Sequence, residues 1–223
     1  MLSTVQNLRI SRAFQRSSPL YSTNATTEEL IYPESRSPHH QDLPSFLEYA
    51  SRIGLDPKST TYVGTHYEYT VLSSLVRFGM SLKRIGGASD YGIDLLGTWP
   101  LPSVAQPLRI LIQCKTNYGG PAHARELEGA FAGAPQGWRN NGVLGLLVSQ
   151  KSATKSHREA LGRSRWPMGY VFCKADGKIL QMLWNRRAEQ EGLEGISVGV
   201  KYTGGDVTEK EVVLTWKGEV LNE

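Results

Sequence analysis

Apolar residues recur along this chain in two rhythms, one of three to four residues and one of two, and their order outlines an α/β fold. Leu43, Phe46, Leu47 and Ala50 share one side of a helix, predicting 43–53 with Gly54 as its stop. A longer helix is predicted from about Thr61 to Phe78, with Gly64, Glu68, Val71, Leu72, Leu75 and Phe78 along its stripe. Strands follow at 82–85, 92–99 and 108–115, the first two separated by a Gly86–Gly87 turn and the last two by a proline-rich loop. Leu127, Ala130, Phe131 and Ala134 line the next helix. Val143–Ser149 is a continuous apolar run, as expected of a strand covered on both faces. A helix at 154–162 and a strand at 169–173 continue the alternation. Ile179–Arg187 reads as a helix, and Ile196–Tyr202 with Val212–Trp216 as a hairpin around Gly204–Gly205.

The amino-terminal stretch has a different character. Residues 1–27 hold Arg9, Arg12 and Arg16 but no Asp, Glu or Lys, and Leu2, Val5 and Leu8 give one amphipathic face. That composition predicts a mitochondrial transit peptide, against the alternative of a plain basic tail. Arg12, Phe14 and Ser17 stand ten, eight and five residues before a cut after Tyr21, which resembles two-step mitochondrial processing. The expected divisions are a transit peptide at 1–21, a flexible linker at 22–42, an α/β domain at 43–175, and a helix and hairpin extension at 176–223 packed on that core. Matrix localisation follows from the leader.

Charge adds little beyond this. The chain carries a formal +4, but without residues 1–21 it has 22 basic residues against 21 acidic ones. A nucleic-acid surface would therefore have to be local. The best candidate is Lys151, Lys155, Arg158, Arg163 and Arg165, opposed in that stretch only by Glu159; a solvated helix face explains it equally well. No apolar run approaches the ~20 residues of a membrane span. Cys114 and Cys173 suggest neither a metal cluster nor a disulfide scaffold.

The candidate chemistry lies on the central strands. If 92–99 and 108–115 pair antiparallel with Trp99 opposite Leu108, then Asp94 opposes Gln113, and Lys115 shares their face. Glu68 is a carboxylate on an apolar helical stripe, costly unless paired or bound to a cation. Two carboxylates and an amide oxygen form a hard-oxygen set suited to Mg²⁺ or Mn²⁺. Lys115 would then orient a water or stabilise charge on a phosphate. The alternative is an interior Asp94–Lys115 salt bridge with Glu68 on the helix surface. Asp90 reads as a turn residue, His66 and His123 as exposed or hydrogen-bonding groups, and residues 116–120 as a substrate loop.

Gly64-Thr65-His66-Tyr67-Glu68, the Gly86-Gly87 turn running to Asp90 and on to Gly92-Ile93-Asp94-Leu95, and Gln113-Cys114-Lys115 together resemble the Mrr-like branch of the PD-(D/E)xK nucleases. With the leader and Trp184-Asn185, the chain resembles the fungal mitochondrial "required for respiratory growth" family, which carries this domain. The resemblance implies a restriction-endonuclease-like mixed sheet flanked by helices. It makes Asp94, Glu68 and Gln113 metal ligands, with Gln113 in place of the usual second acid, and Lys115 the catalytic lysine. It also implies Mg²⁺-dependent cleavage of DNA, serving respiratory growth through maintenance of the mitochondrial genome. A non-catalytic nucleic-acid-binding or assembly factor is the competing expectation. A homodimer that cuts two strands is compatible with it, though no heptad or exposed apolar stripe marks one.

Overall fold

The computed structural model describes residues 30–34, 37–86, 92–116, 120, 122–139, 141–203 and 209–221. The leader, Asp90 and most of the 116–120 loop lie outside them.

Helices α1 (Leu43–Ile53) and α2 (Thr60–Val76) come first. The Asp42 side chain caps α1, accepting from Ser45 N, and Gly54 ends it in the left-handed conformation that a Cβ would strain. Ser59 caps α2 by accepting from Tyr62 N. Six strands then form one sheet in the order β1 (Ser81–Arg84), β2 (Leu95–Trp99), β3 (Leu108–Lys115), β4 (Val143–Ser149), β5 (Met168–Cys173) and β6 (Ile179–Trp184). β1, β2 and β3 pair antiparallel, β3, β4 and β5 parallel, and β6 returns antiparallel. Helices α3 (Ala122–Gly133) and α4 (Lys155–Arg163) make the two parallel crossovers. No helix among the described residues is long and apolar enough to cross a membrane.

The two-residue rhythm of the strands explains why the sheet has two cores. Ile110, Ile112, Leu144, Leu146 and Val148 face Tyr67, Val71 and Leu75 of α2. Leu111, Val143 and Leu147 face the other way, against Leu127 and Phe131 of α3. Every residue of β4 is therefore buried, as its unbroken apolar run predicts.

The helix expected over Ile179–Arg187 is instead strand β6 followed by the single turn Arg186–Ala188. Asp176-Gly177 is the cause. Gly177 adopts φ +85°, and Lys174 N donates to Lys178 O, closing a tight hairpin that returns the chain along β5. The expected terminal hairpin forms as β7 (Ile196–Thr203) and β8 (Glu209–Trp216), joined by the short β9 (Glu219–Val220); its tip lies outside the described residues. Ile196, Val212 and Leu214 join the α2-side core. Part of the expected 22–42 linker is also engaged: Leu30 and Tyr32 pack on the α3-side core, and His40 is buried, although its neighbour His39 is exposed as a histidine pair in a linker would be.

Candidate functional site

The site lies where β3 ends, between α2 and the start of α3. The β2–β3 ladder holds the expected register from Trp99↔Leu108 to Leu95↔Ile112. It stops one residue short of the predicted Asp94–Gln113 pair. Asp94 N instead donates to Ile112 O at 2.8 Å, and Asp94 Oδ2 accepts from Cys114 N at 2.6 Å. The aspartate thus brackets Gln113 from both sides, its side chain replacing a ladder bond. Its carbonyl accepts from Ile85 N and Gly86 N, which fixes it to the end of β1 as well.

Glu68 reaches the same place from α2. A Cβ added to Gly86 would lie 3.0 Å from Glu68 Oε2 and 3.3 Å from Asp94 Oδ1, so both carboxylates converge on one glycine. Gly86 is needed there because a side chain would fill the space between them. Arg84, two residues earlier on β1, was not anticipated. Its Nε donates to Glu68 Oε2 at 2.5 Å, and the two side chains are only 8% and 14% exposed. A cation at the end of an edge strand carries no distinctive sequence pattern, so only the fold could reveal this pairing.

Gln113 is buried, and among the described residues its Oε1 finds no hydrogen-bond partner. An orphaned buried carbonyl oxygen costs about 1–3 kcal/mol and calls for an explanation. Lys115 carries its ammonium to α3, where Nζ lies 3.2 Å from Glu126 Oε2, and His123 Nδ1 meets the same oxygen at 2.8 Å. The interior Asp94–Lys115 bridge weighed above is thus not the ion pair Lys115 makes with Glu126. His123 takes the hydrogen-bonding role. Burial alone would raise Glu126, but the bonds from His123 and Lys115 outweigh it and hold the carboxyl below its ordinary range.

A cavity of about 220 Å³ opens here, lined by Glu68, Cys114, Lys115 and His123 together with Tyr67 and Thr116. Burial, and then the carboxylates of Asp94 and Glu68, push the Cys114 thiol well above its usual range. It is a neutral wall of the cavity, not a thiolate nucleophile. Among the described residues no three His, Cys, Asp or Glu side chains group as metal ligands. A cation would need the two carboxylates plus Gln113 Oε1, a set of hard oxygens that suits Mg²⁺ and gives the orphaned amide a partner, in competition with Arg84 for Glu68. The donors fit.

The predicted basic stretch is spread along α4. Ser149 pairs with Lys115 across β3 and β4, so Lys151 and Lys155 follow the site end of the sheet. Arg163 ends α4, a helix about 14 Å long at ~1.5 Å per residue, and Arg165 follows it just before β5.

The fold defines a mixed six-stranded α/β domain with a polar cleft at the end of its central strand. The profile of the family described as "Required for respiratory growth protein 7" matches residues 59–106 and 102–201, and the chain belongs to that family. It is 33% identical over 155 residues to an uncharacterized mitochondrial protein of Schizosaccharomyces pombe, covering 67% of this chain and 61% of that one. It is 29% identical over 157 residues to "Required for respiratory growth protein 7, mitochondrial" of Zygosaccharomyces rouxii, covering 51% and 64%. The Saccharomyces cerevisiae protein of the same name is 23% identical over 172 residues, covering 57% and 71%. The match thus spans less than two thirds of the first two relatives. No solved structure matches.

Proposed function

We propose that this protein is a mitochondrial phosphodiesterase of the PD-(D/E)xK type that acts on DNA in the matrix and serves respiratory growth through mitochondrial genome maintenance. The observation that carries the reading is the convergence of Glu68 and Asp94 on Gly86, with Glu68 and Lys115 lining one cleft and the Gln113 oxygen buried without a partner among the described residues. The names of the relatives support the mitochondrial setting and the respiratory role.

Asp94, Glu68 and Gln113 would hold a Mg²⁺ or Mn²⁺ ion. When bound, such an ion supplies positive charge to a phosphate and lowers the pKa of a water. The protein's own part is electrostatic and positional. Cys114 N fixes the Asp94 carboxylate in place, so no reorganisation is needed on binding. Lys115, tethered by Glu126, places a cation at the cleft where charge develops on a phosphate.

A second reading is favoured by the two ion pairs. Glu68 is already matched by Arg84, and Lys115 by Glu126, as in a nuclease fold reused for binding or assembly without cleavage. Incubation of the purified chain with labelled duplex, branched and single-stranded DNA across a Mg²⁺ or Mn²⁺ titration separates the two. The nuclease reading expects metal-dependent cleavage that Asp94→Asn and Lys115→Ala abolish. Binding without cleavage at every metal concentration supports the second reading, whereas full cleavage by Lys115→Ala refutes the catalytic assignment of that residue.

A further inference from the structure

A second polar cavity, of about 370 Å³, lies beyond the far end of α4 from the Lys115 cleft. Arg163, Arg165, Arg186 and Arg187 line it with Ser164 and Gln190, and no acidic residue is among its described lining. All four arginines are exposed. Arg163 pairs with Glu159 at 3.8 Å, with the arginine side chain 82% exposed. An exposed pair at that distance leaves the guanidinium available to another anion. Four cations in one cavity stand out in a chain that is close to neutral without its first 21 residues.

The cavity is built on a fixed frame. Asn185 is 7% exposed, and its side chain joins four backbone segments. Oδ1 accepts from Met168 N and Ala188 N, at 3.1 and 3.0 Å. Nδ2 donates to Leu161 O and Trp166 O, both at 2.9 Å. One buried amide, fully satisfied, thereby ties the end of α4, the 164–167 turn, the start of β5 and the turn that begins at Arg186. The arginines come from two separate stretches of sequence held together by that residue. Mutually repelling charges kept close on a rigid frame are suited to an anion with several charges. In the same turn, the Trp166 ring stacks on Phe131 at 4.7 Å and remains 38% exposed. An aromatic surface beside arginines serves a base as well as a phosphate.

We infer that this arginine cavity anchors the phosphate backbone of a single-stranded nucleic acid, with Trp166 as a platform for an unpaired base. The inference rests on nucleic acid being the partner, as in the nuclease reading and the nucleic-acid-binding form of the second one, and not on cleavage. It replaces the single 151–165 stripe with a site that draws half its cations from Arg186 and Arg187.

The test is fluorescence anisotropy of the full chain with a labelled 20-nucleotide strand in EDTA, over a range of salt concentrations. Replacing all four arginines by Gln should weaken binding at least ten-fold near 0.1 M salt and reduce the slope of log K against log salt by about three, at ~0.7 per phosphate contact. The fourfold Arg→Lys variant keeps the charge, so it should keep the slope and controls for folding. Trp166→Ala should lose about five-fold or more without changing the slope. Three results overturn the inference. They are no binding by the wild-type chain, an unchanged slope in the Gln variant, or unchanged affinity in Trp166→Ala. Because the assay is run in EDTA, where metal-dependent cleavage cannot occur, its outcome is separate from the fate of the nuclease reading.

Discussion

Replacing Arg84 by Met tests how the cleft is held together. Arg84 Nε and Glu68 Oε2 lie 2.5 Å apart, with side chains 8% and 14% exposed. Removing one partner of so buried a pair costs about 3–5 kcal/mol, because the other charge stays buried and unmatched. The neighbourhood makes it worse. Glu68 Oε2 and Asp94 Oδ1 each come within 3.3 Å of the same point above Gly86. Two carboxylates no more than about 6 Å apart repel by roughly 3 kcal/mol or more at an effective dielectric of ~20. For a domain of this size each kcal/mol shifts Tm by about 2–4 °C, so Arg84→Met should lower Tm by about 6–20 °C at pH 7. Removing both charges is a different perturbation, since replacing a buried pair as a unit is often nearly neutral. The double variant Arg84→Met/Glu68→Gln should therefore recover most of the loss, giving a clear coupling energy in a double-mutant cycle. Calorimetric melting of the four proteins in EDTA reads it directly. A single variant within 2 °C of wild type, or a double variant no better than the single, refutes the claim that Arg84 neutralises the cleft.

Lys115→Ala should behave differently. Its partner Glu126 is 47% exposed and Lys115 itself 29%, so the pair is worth about 0–1 kcal/mol and Tm should fall by only a few degrees; a drop above 10 °C by circular dichroism would place the lysine in a buried network instead. His40 should make stability pH-dependent. Its ring is 8% exposed and accompanied by the Tyr69 hydroxyl at 2.8 Å, and burial, then the Arg84 and His39 charges, hold it below its ordinary range. The stability this confers is present above the unfolded value of about 6.5 and is lost as pH falls toward the folded one. His40→Gln should therefore show a smaller decline in Tm between pH 7 and 5 than wild type, and an equal decline would count against the assignment. Import should leave a mature amino terminus near Ser22, which mass spectrometry of the protein from isolated mitochondria checks; a mature species retaining Met1 would contradict it.

Much of the fold is written in local patterns. The three-to-four-residue rhythm placed α1, α2 and α3, and the unbroken apolar run of β4 announced a strand covered on both faces, because each pattern reflects which side of an element must leave water. The β2–β3 register could be read from the loop between them, since a hairpin's turn sets its pairing. Where local signals conflicted, tertiary context decided. Ile179–Trp184 has the apolar content of either element, and it became a strand because the tight turn at Gly177 and the open edge of β5 offered its backbone groups partners. The same holds for the candidate site. Asp94, Gln113, Lys115 and Glu68 were legible as polar residues at positions where apolar ones belong. Their ion-pair partners were not, because Arg84 and Glu126 look like ordinary surface charges until the end of β1 is brought to α2 and the end of β3 to α3. Likewise, Arg186 and Arg187 join Arg163 and Arg165 where the β5–β6 pairing and the bonds of Asn185 bring the two stretches together. Periodicity records which face of an element is buried; which charges meet depends on contacts between residues far apart in the chain, and those exist only in the folded molecule.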